Sequence, residues 1–240
     1  MEFDNVYEDA RRAEAYAKLE FPGTYYLAYR DLPALIAEYV NGSKALDFGC
    51  GTGRSTRYLR NLRFNVIGVD ISEAMLQKAR NSDPDGEYQL VIDGDLNHLP
   101  SDHYDLVLSA FTFDNIPTAD KKLANFMEIK RLLKPGGIMI NLVSSPEIYI
   151  NEWASFTTKD FPENRQARTG DKVKIIMTDV DDKRPVEDVI WMDEAYLELY
   201  MKAGLTPIKT HKPLAKPEEP YPWVNELQIA PWTIYILEKP

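Results

Sequence analysis

The 240-residue sequence predicts an α/β fold in which a mostly parallel sheet is covered by helices on both faces. Three observations carry that expectation. Apolar, β-rich runs alternate with helix-patterned segments from residue 44 to residue 143. The first run ends in a glycine-rich turn, Gly49-Cys50-Gly51-Thr52-Gly53, that opens a helix. Parallel strands need long crossover connections, and helices supply them.

The elements follow in order. Ala10, Ala13, Ala15 and Ala17 favour a first helix, broken at Phe21-Pro22-Gly23-Thr24. Leu27, Leu32, Leu35, Ile36, Tyr39 and Val40 recur at helical spacing and stop at Asn41-Gly42. Strands are expected at Lys44–Phe48, Phe64–Val69, Tyr88–Ile92, Tyr104–Ser109 and Ile138–Val143. Helices are expected at Arg54–Leu62, at Ser72–Arg80 with Ser72 as N-cap, and at Thr118–Leu133, the last stopped by Pro135-Gly136-Gly137. Beyond Ser144 the rhythm breaks. Val173–Met177 and Val186–Trp191 read as a hairpin around the polar turn at 179–183. Asp193–Lys202 reads as a helix capped by Asp193 and ended by Gly204, followed by strands at Leu205–Thr210 and Thr233–Leu237.

Composition excludes several function classes. The chain carries 28 basic and 38 acidic residues, and no segment of it is basic, which argues against a broad nucleic-acid surface or an anionic-membrane anchor. Cys50 is the single cysteine, so no internal disulfide or multi-cysteine metal site is available. No apolar run reaches the roughly 18 residues of a membrane span, and Met1 to Glu20 is acidic without an apolar stretch. The expectation is a soluble cytoplasmic protein. All four tryptophans, Trp153, Trp191, Trp223 and Trp232, follow residue 144.

The glycine turn carries the chemistry. Glycines permit a tight turn and close approach of backbone to ligand, and the helix start beyond them favours an anionic group. A dinucleotide fingerprint would need glycine where Arg54 stands, and Asp47 would repel a pyrophosphate. A carboxylate in that place suits a ligand with an amine. Asp70, ending the second strand, can accept from both hydroxyls of a ribose; Ile71 and Met75 can flank an adenine ring. Asp95, after the third strand, can accept from an exocyclic amine.

In order and spacing, Leu46–Gly53, Val66–Ala79, Val91–Leu99, Tyr104–Ile116 and Leu132–Ile140 resemble class I S-adenosylmethionine (SAM)-dependent methyltransferases. The resemblance is strongest to the small-molecule branch that includes quinone-biosynthesis enzymes, and it covers roughly residues 40–145. It implies a three-layer Rossmann-like sandwich with a seven-stranded, mostly parallel sheet whose last strand is antiparallel. A helical cap (residues 1–40) and a lid inserted after strand five (residues 145–192) would complete a single domain. The cofactor would be SAM and the product S-adenosylhomocysteine. Asp47, Gly49 and Gly51 would face the methionine part, Asp70 the ribose, Ile71 and Met75 the adenine face, and Asp95 and Leu96 its edge. Ser109 would lie beside the sulfonium, and Tyr25 would cap the cofactor.

The acceptor side is read from the same resemblance. The branch often has a histidine pair after strand four, where Asp114-Asn115 stands here. These two would touch substrate, or cap the helix that begins near Thr118. Tyr16, Tyr26, Phe111, Trp153, Arg168 and Trp191 complete the expected acceptor surface, with packing of the cap and lid as the alternative role. The helix row Arg54, Arg57, Arg60 and Arg63 reads as a solvated face. No residue is assigned as a catalytic base, and no metal is expected. The implied function is methyl transfer to nitrogen or oxygen of a small, planar heteroaromatic molecule by a monomer or homodimer. A protein or RNA substrate, or SAM binding without chemistry, stays open as an alternative.

Overall fold

The computed structural model describes residues 22–92 and 95–240, so the expected first helix and Tyr16 lie outside the described residues. Helices α1 (Thr24–Arg30) and α2 (Leu32–Tyr39) come first. The single helix expected over this stretch is broken at Asp31, because Pro33 in the first turn of α2 cannot donate an amide to the preceding turn. Next come β1 (Lys44–Phe48), α3 (Arg54–Asn61), β2 (Asn65–Asp70), α4 (Glu73–Ser82), β3 (Glu87–Leu90), β4 (Tyr104–Ala110), α5 (Ala119–Leu132) and β5 (Leu133–Ser144). Ser72 and Thr118 cap α4 and α5 by accepting the Met75 and Lys121 amides.

The main sheet has seven strands in the order β3-β2-β1-β4-β5-β10-β9, where β9 is Thr206–His211 and β10 is Trp232–Glu238. The pairs from β3 to β5 are parallel, and β10 is antiparallel to both β5 and β9. The sheet is therefore the predicted one, last strand included. The turn expected at 134–137 lies inside β5. The register passes from Tyr104↔Leu133 to Leu106↔Ile138, and the resulting bulge carries Gly136 at φ 72°.

Alternation along the strands sorts the core onto two faces. Ile138, Ile140, Leu142, Ile234 and Ile236 pack with α1, α2 and Leu59 of α3. Met139, Val143, Tyr235 and Leu237 pack with Phe126, Ile129 and Leu132 of α5 and with Tyr196, Leu199 and Tyr200 of α6 (Asp193–Ala203). Each such residue, fully buried, contributes about 1.5–3 kcal/mol of transfer free energy. Asp193 does not cap α6. Met192 holds the cap position, and the Asp193 carboxylate accepts the Tyr235 hydroxyl at 2.5 Å and pairs with Lys212 at 2.6 Å. Gly204 ends α6 in the left-handed conformation, as expected.

The insertion after β5 forms its own three-stranded antiparallel sheet, β6 (Phe156–Thr157), β7 (Lys172–Met177) and β8 (Val186–Val189). The β7–β8 pair is the predicted hairpin, with Ile175 opposite Val186. The insertion leans on α1. The Thr24 amide donates to Ser155 Oγ at 2.9 Å, and the Ser155 amide donates back to Thr24 Oγ1 at 3.1 Å.

Candidate active site

The glycine turn lies between β1 and α3 at the carboxyl ends of the parallel strands, where open α/β sheets place their ligands. Gly49, Gly51 and Gly53 all have positive φ, at 74°, 53° and 78°. A Cβ at Gly49 would lie 2.1 Å from Thr112 Oγ1, so that glycine is required by packing. At Gly51 the nearest atom to a built Cβ is Met75 Cε at 3.5 Å, so backbone is open to a ligand there.

Two carboxylates stand at this turn, and a further unmet polar group lies on the neighbouring strand β4. Asp47 is fully buried; its Oδ2 accepts from Ser55 Oγ at 2.7 Å and Thr56 Oγ1 at 2.6 Å, while its Oδ1 has no partner among the described residues. Burial pushes its carboxyl up to about 6 against the pull of those hydroxyls, with nearby Asp70 adding to the rise. Asp70 accepts the Gly51 amide at Oδ2 and the Ser72 amide at Oδ1, each at 2.8 Å, and so ties the turn to the end of β2. Ser109 is fully buried on β4 with its Oγ unpartnered among the described residues. An unsatisfied carboxylate oxygen in such a place is costly unless a ligand completes it. Ile71 is 58% exposed beside Asp70, whereas Met75 is buried. Asp95 is exposed and accepts the Asn97 amide, and Leu96 is buried with its carbonyl accepting from Arg131. Cys50 is buried and its thiol is pushed well up by burial and by Asp47 and Asp70, which disfavours the nucleophilic thiolate.

A cavity opens beside the segment that follows β4. It is a cleft between α1, the segment after β4, the insertion and β10, and its space of about 440 Å³ includes open solvent. Tyr25, Phe111, Phe156 and Trp232 wall it; the Tyr25 ring lies 5.8, 5.1 and 5.6 Å from the other three. The segment after β4 joins cavity to turn, because Thr112 Oγ1 donates to the Phe48 carbonyl at 3.0 Å.

A methyltransferase-domain family model matches residues 46–141, the stretch that holds the glycine turn, Asp70 and Ser109. The chain carries a methyltransferase domain over that stretch. It is a methyltransferase enzyme, and its cofactor is SAM. Over 218 residues it is 27% identical to the N-demethylindolmycin N-methyltransferase of Streptomyces griseus, covering 90% of this chain and 91% of that one. It is 37% identical over 110 residues to the demethylmenaquinone methyltransferase of Staphylococcus saprophyticus, a match that spans 44% of this chain and 46% of the relative. A SAM-dependent methyltransferase of Clostridium acetobutylicum shares the fold at TM-score 0.63 and 15% identity, over 97% of this chain and 96% of that one.

This methyltransferase brings together only part of the acceptor surface expected from its sequence. Tyr25, Phe111, Asp114 and Asn115 line the cavity. Asp114 caps no helix; its Oδ2 accepts the Ser144 amide at 3.0 Å, and Thr118 is the cap of α5. Tyr25 is a cavity wall, its hydroxyl donating to Met177 Sδ and its ring facing the Arg54 guanidinium at 5.2 Å. Tyr26 is half-buried against Tyr221 instead. Trp153 is buried in the core of the insertion, where its indole N–H donates to the Ile148 carbonyl. Arg168 is exposed on a loop whose backbone turns back onto Asp171. Trp191 packs on the opposite core, over Lys122 and against Tyr196, and does not line the cavity. The arginine row is not a plain solvated face, since Arg54 also covers Tyr29 and Arg60 pairs with Asp83.

Sequence reasoning missed Tyr149, Asp188 and Lys122. Tyr149 donates its hydroxyl to Asp188 Oδ2 at 3.1 Å, and both line the cavity. Lys122 is fully buried, donates to the Phe113 carbonyl, and has its ammonium 4.9 Å from the Trp191 ring. Burial lowers its pKa while Asp114 and Asp188 hold it up. The signals were present in the pattern. Asp188 shares a strand face with Val186, and Lys122 falls on the helix stripe of Phe126 and Ile129.

Proposed function

We propose that this enzyme transfers the SAM methyl to a nitrogen or oxygen of a small, planar heteroaromatic molecule seated in the aromatic-walled cavity. The observation that carries the proposal is that cavity, joined to the glycine turn through Thr112. The whole-length similarity to an enzyme named for a small-molecule acceptor supports it. When bound, SAM supplies a methyl already activated on sulfur, so the protein's tasks are orientation and exclusion of water.

The residues divide that work. The unpartnered Oδ1 of Asp47 accepts from the cofactor's ammonium, and the open backbone at Gly51 gives its methionine part room, with Gly49 shaping the turn by its packing on Thr112. Asp70 keeps acceptor capacity for ribose hydroxyls beyond its two amide contacts. Ile71 and Met75 flank the adenine, with Asp95 and the Leu96 backbone at its edge. Ser109 stands near the reacting methyl. Residues 145–192 act as a lid and α1 as part of a cap, so that Tyr25, Phe111, Phe156 and Trp232 grip the acceptor and keep water from it.

Label transfer tests the proposal. The enzyme with methyl-labelled SAM is offered planar heteroaromatic amines and alcohols, bulk RNA and a protein extract in separate arms. Methylated product is expected in the small-molecule arm. Label confined to RNA or protein would overturn the proposal.

A further inference from the structure

The polar lining of the cavity is one-sided. Asp114 and Asp188 present carboxylates, and the buried Asn115 Oδ1 has no hydrogen-bond partner among the described residues. The available donors already face these acceptors or the backbone. The Tyr149 hydroxyl is turned onto Asp188 Oδ2, the Ser144 amide onto Asp114 Oδ2, and Asn115 Nδ2 onto the Phe111 carbonyl. Lys122 is no part of the lining; it lies behind Asp114, bonded to the Phe113 carbonyl beneath Trp191. Arg54 stands outside, over Tyr25 and Tyr29. A ligand that fills such a space must bring its own donors, and the surrounding π faces favour a cationic one.

We infer that the acceptor carries a basic nitrogen, anchored in this cavity by the carboxylates of Asp114 and Asp188 between the four aromatic walls. The inference rests on the small-acceptor reading above and narrows it to molecules that join a planar ring to a basic, alkylamine-type nitrogen. Asp114 is almost fully buried and its carboxyl is shifted upward by that burial, so an anion there gains from a charged partner.

Tryptamine and tryptophol are suitable probes, since they share a planar ring and arm and differ in ammonium against hydroxyl. Their binding to the S-adenosylhomocysteine-loaded enzyme is measured by calorimetry. Wild type is expected to hold tryptamine at least about tenfold more tightly, as a charge-assisted contact implies. Asp114→Asn and Asp188→Asn each reduce that preference, and the double variant brings the probes to near parity. Unchanged S-adenosylhomocysteine binding shows that the variants are folded.

The pH profile separates recognition from structure. Asp114 is met by the Ser144 amide and side chain and by Lys122 from α5, with Tyr149 and, from α6, Tyr196 and Tyr200 within reach of its charge; Asp188 from β8 acts on Lys122 and Tyr149. Tryptamine affinity should rise from about pH 5 to about pH 7.5 as the Asp114 carboxylate ionises, because an alkylammonium stays charged to about pH 10; tryptophol affinity should stay flat. Equal affinity for both probes in wild type would overturn the amine inference and leave the small-acceptor reading standing. Failure of both to bind would overturn that reading and the inference with it. A preference that survives in the double variant would overturn the assignment to these two carboxylates.

Discussion

Thr24 donates its hydroxyl to Glu226 Oε1 at 2.7 Å across 202 positions of sequence, and both residues are fully buried. The same carboxylate oxygen takes the Ala154 amide at 2.7 Å, and Oε2 takes the Val224 and Asn225 amides at 2.8 and 3.1 Å. One side chain thus ties α1, the insertion and the loop before β10 around the acceptor cavity. Removing it strands four donors, each worth about 1–3 kcal/mol if buried unpaired. Glu226→Ala should therefore destabilise by roughly 3 kcal/mol or more and lower Tm by about 6–12 °C for a chain of this size. Thermal unfolding followed by circular dichroism checks this, with Glu226→Gln expected to lose less because one acceptor oxygen remains.

Asp70 has a structural duty that its sequence position alone does not reveal. Its two oxygens hold the Gly51 and Ser72 amides, so it shapes the turn in addition to the ribose contact proposed for it. Asp70→Ala should weaken S-adenosylhomocysteine binding at least tenfold, the roughly 1.4 kcal/mol or more expected of charge-assisted hydrogen bonds. Calorimetry reads it directly, and an unchanged affinity would place the ribose elsewhere.

Gly49 and Gly51 should respond differently to the same substitution. Both have positive φ, which costs an L-residue about 1–2 kcal/mol. Gly49→Ala additionally drives a methyl into Thr112, the residue that joins turn to cavity. It should lower the urea midpoint clearly more than Gly51→Ala, whose methyl meets only Met75 Cε. Gly51→Ala should instead show its main loss in cofactor affinity. Equal losses of stability would contradict the packing role given to Gly49.

The sheet was legible because each βα unit writes its own period. The glycine turn, the Ser72 cap and the Gly204 stop are local signals, and the structure keeps them. Features fixed by distant partners were not legible. Asp193 looked like a cap, but Tyr235 and Lys212 claim its carboxylate from across the fold. Trp153 and Trp191 looked like acceptor contacts because aromatic content marks the region, not the direction of a ring; both turn into cores. Asp114 and Asn115 were found from their place after β4. The strand pattern marks Asp188 as sharing a face with Val186, but its meeting with Asp114 and Asn115 depends on the tertiary packing of the insertion.

Asp47 supplies a pH test of the cofactor site. Its carboxyl is raised by burial from 3.8 to about 6 in the folded protein without ligand. The native state thus binds a proton that the unfolded chain has released, between those two values. This contribution to stability is largest below the unfolded pKa and is lost as pH rises through about 6; a shift of about 2 pH units corresponds to about 3 kcal/mol. Asp70 and Asp114 are shifted in the same direction, so the informative quantity is the difference between wild type and Asp47→Asn. Urea unfolding of the ligand-free protein should show wild type losing stability relative to Asp47→Asn between about pH 4 and about pH 7. An ammonium placed on the unpartnered Oδ1 reverses the sign, because it favours the carboxylate. S-adenosylhomocysteine affinity should accordingly rise over the same interval, with proton release visible in calorimetry as a dependence of the measured heat on buffer ionisation. Asp47→Asn should flatten the rise and abolish the release. A wild-type affinity that is flat across this range would show that the cofactor's ammonium does not meet Asp47.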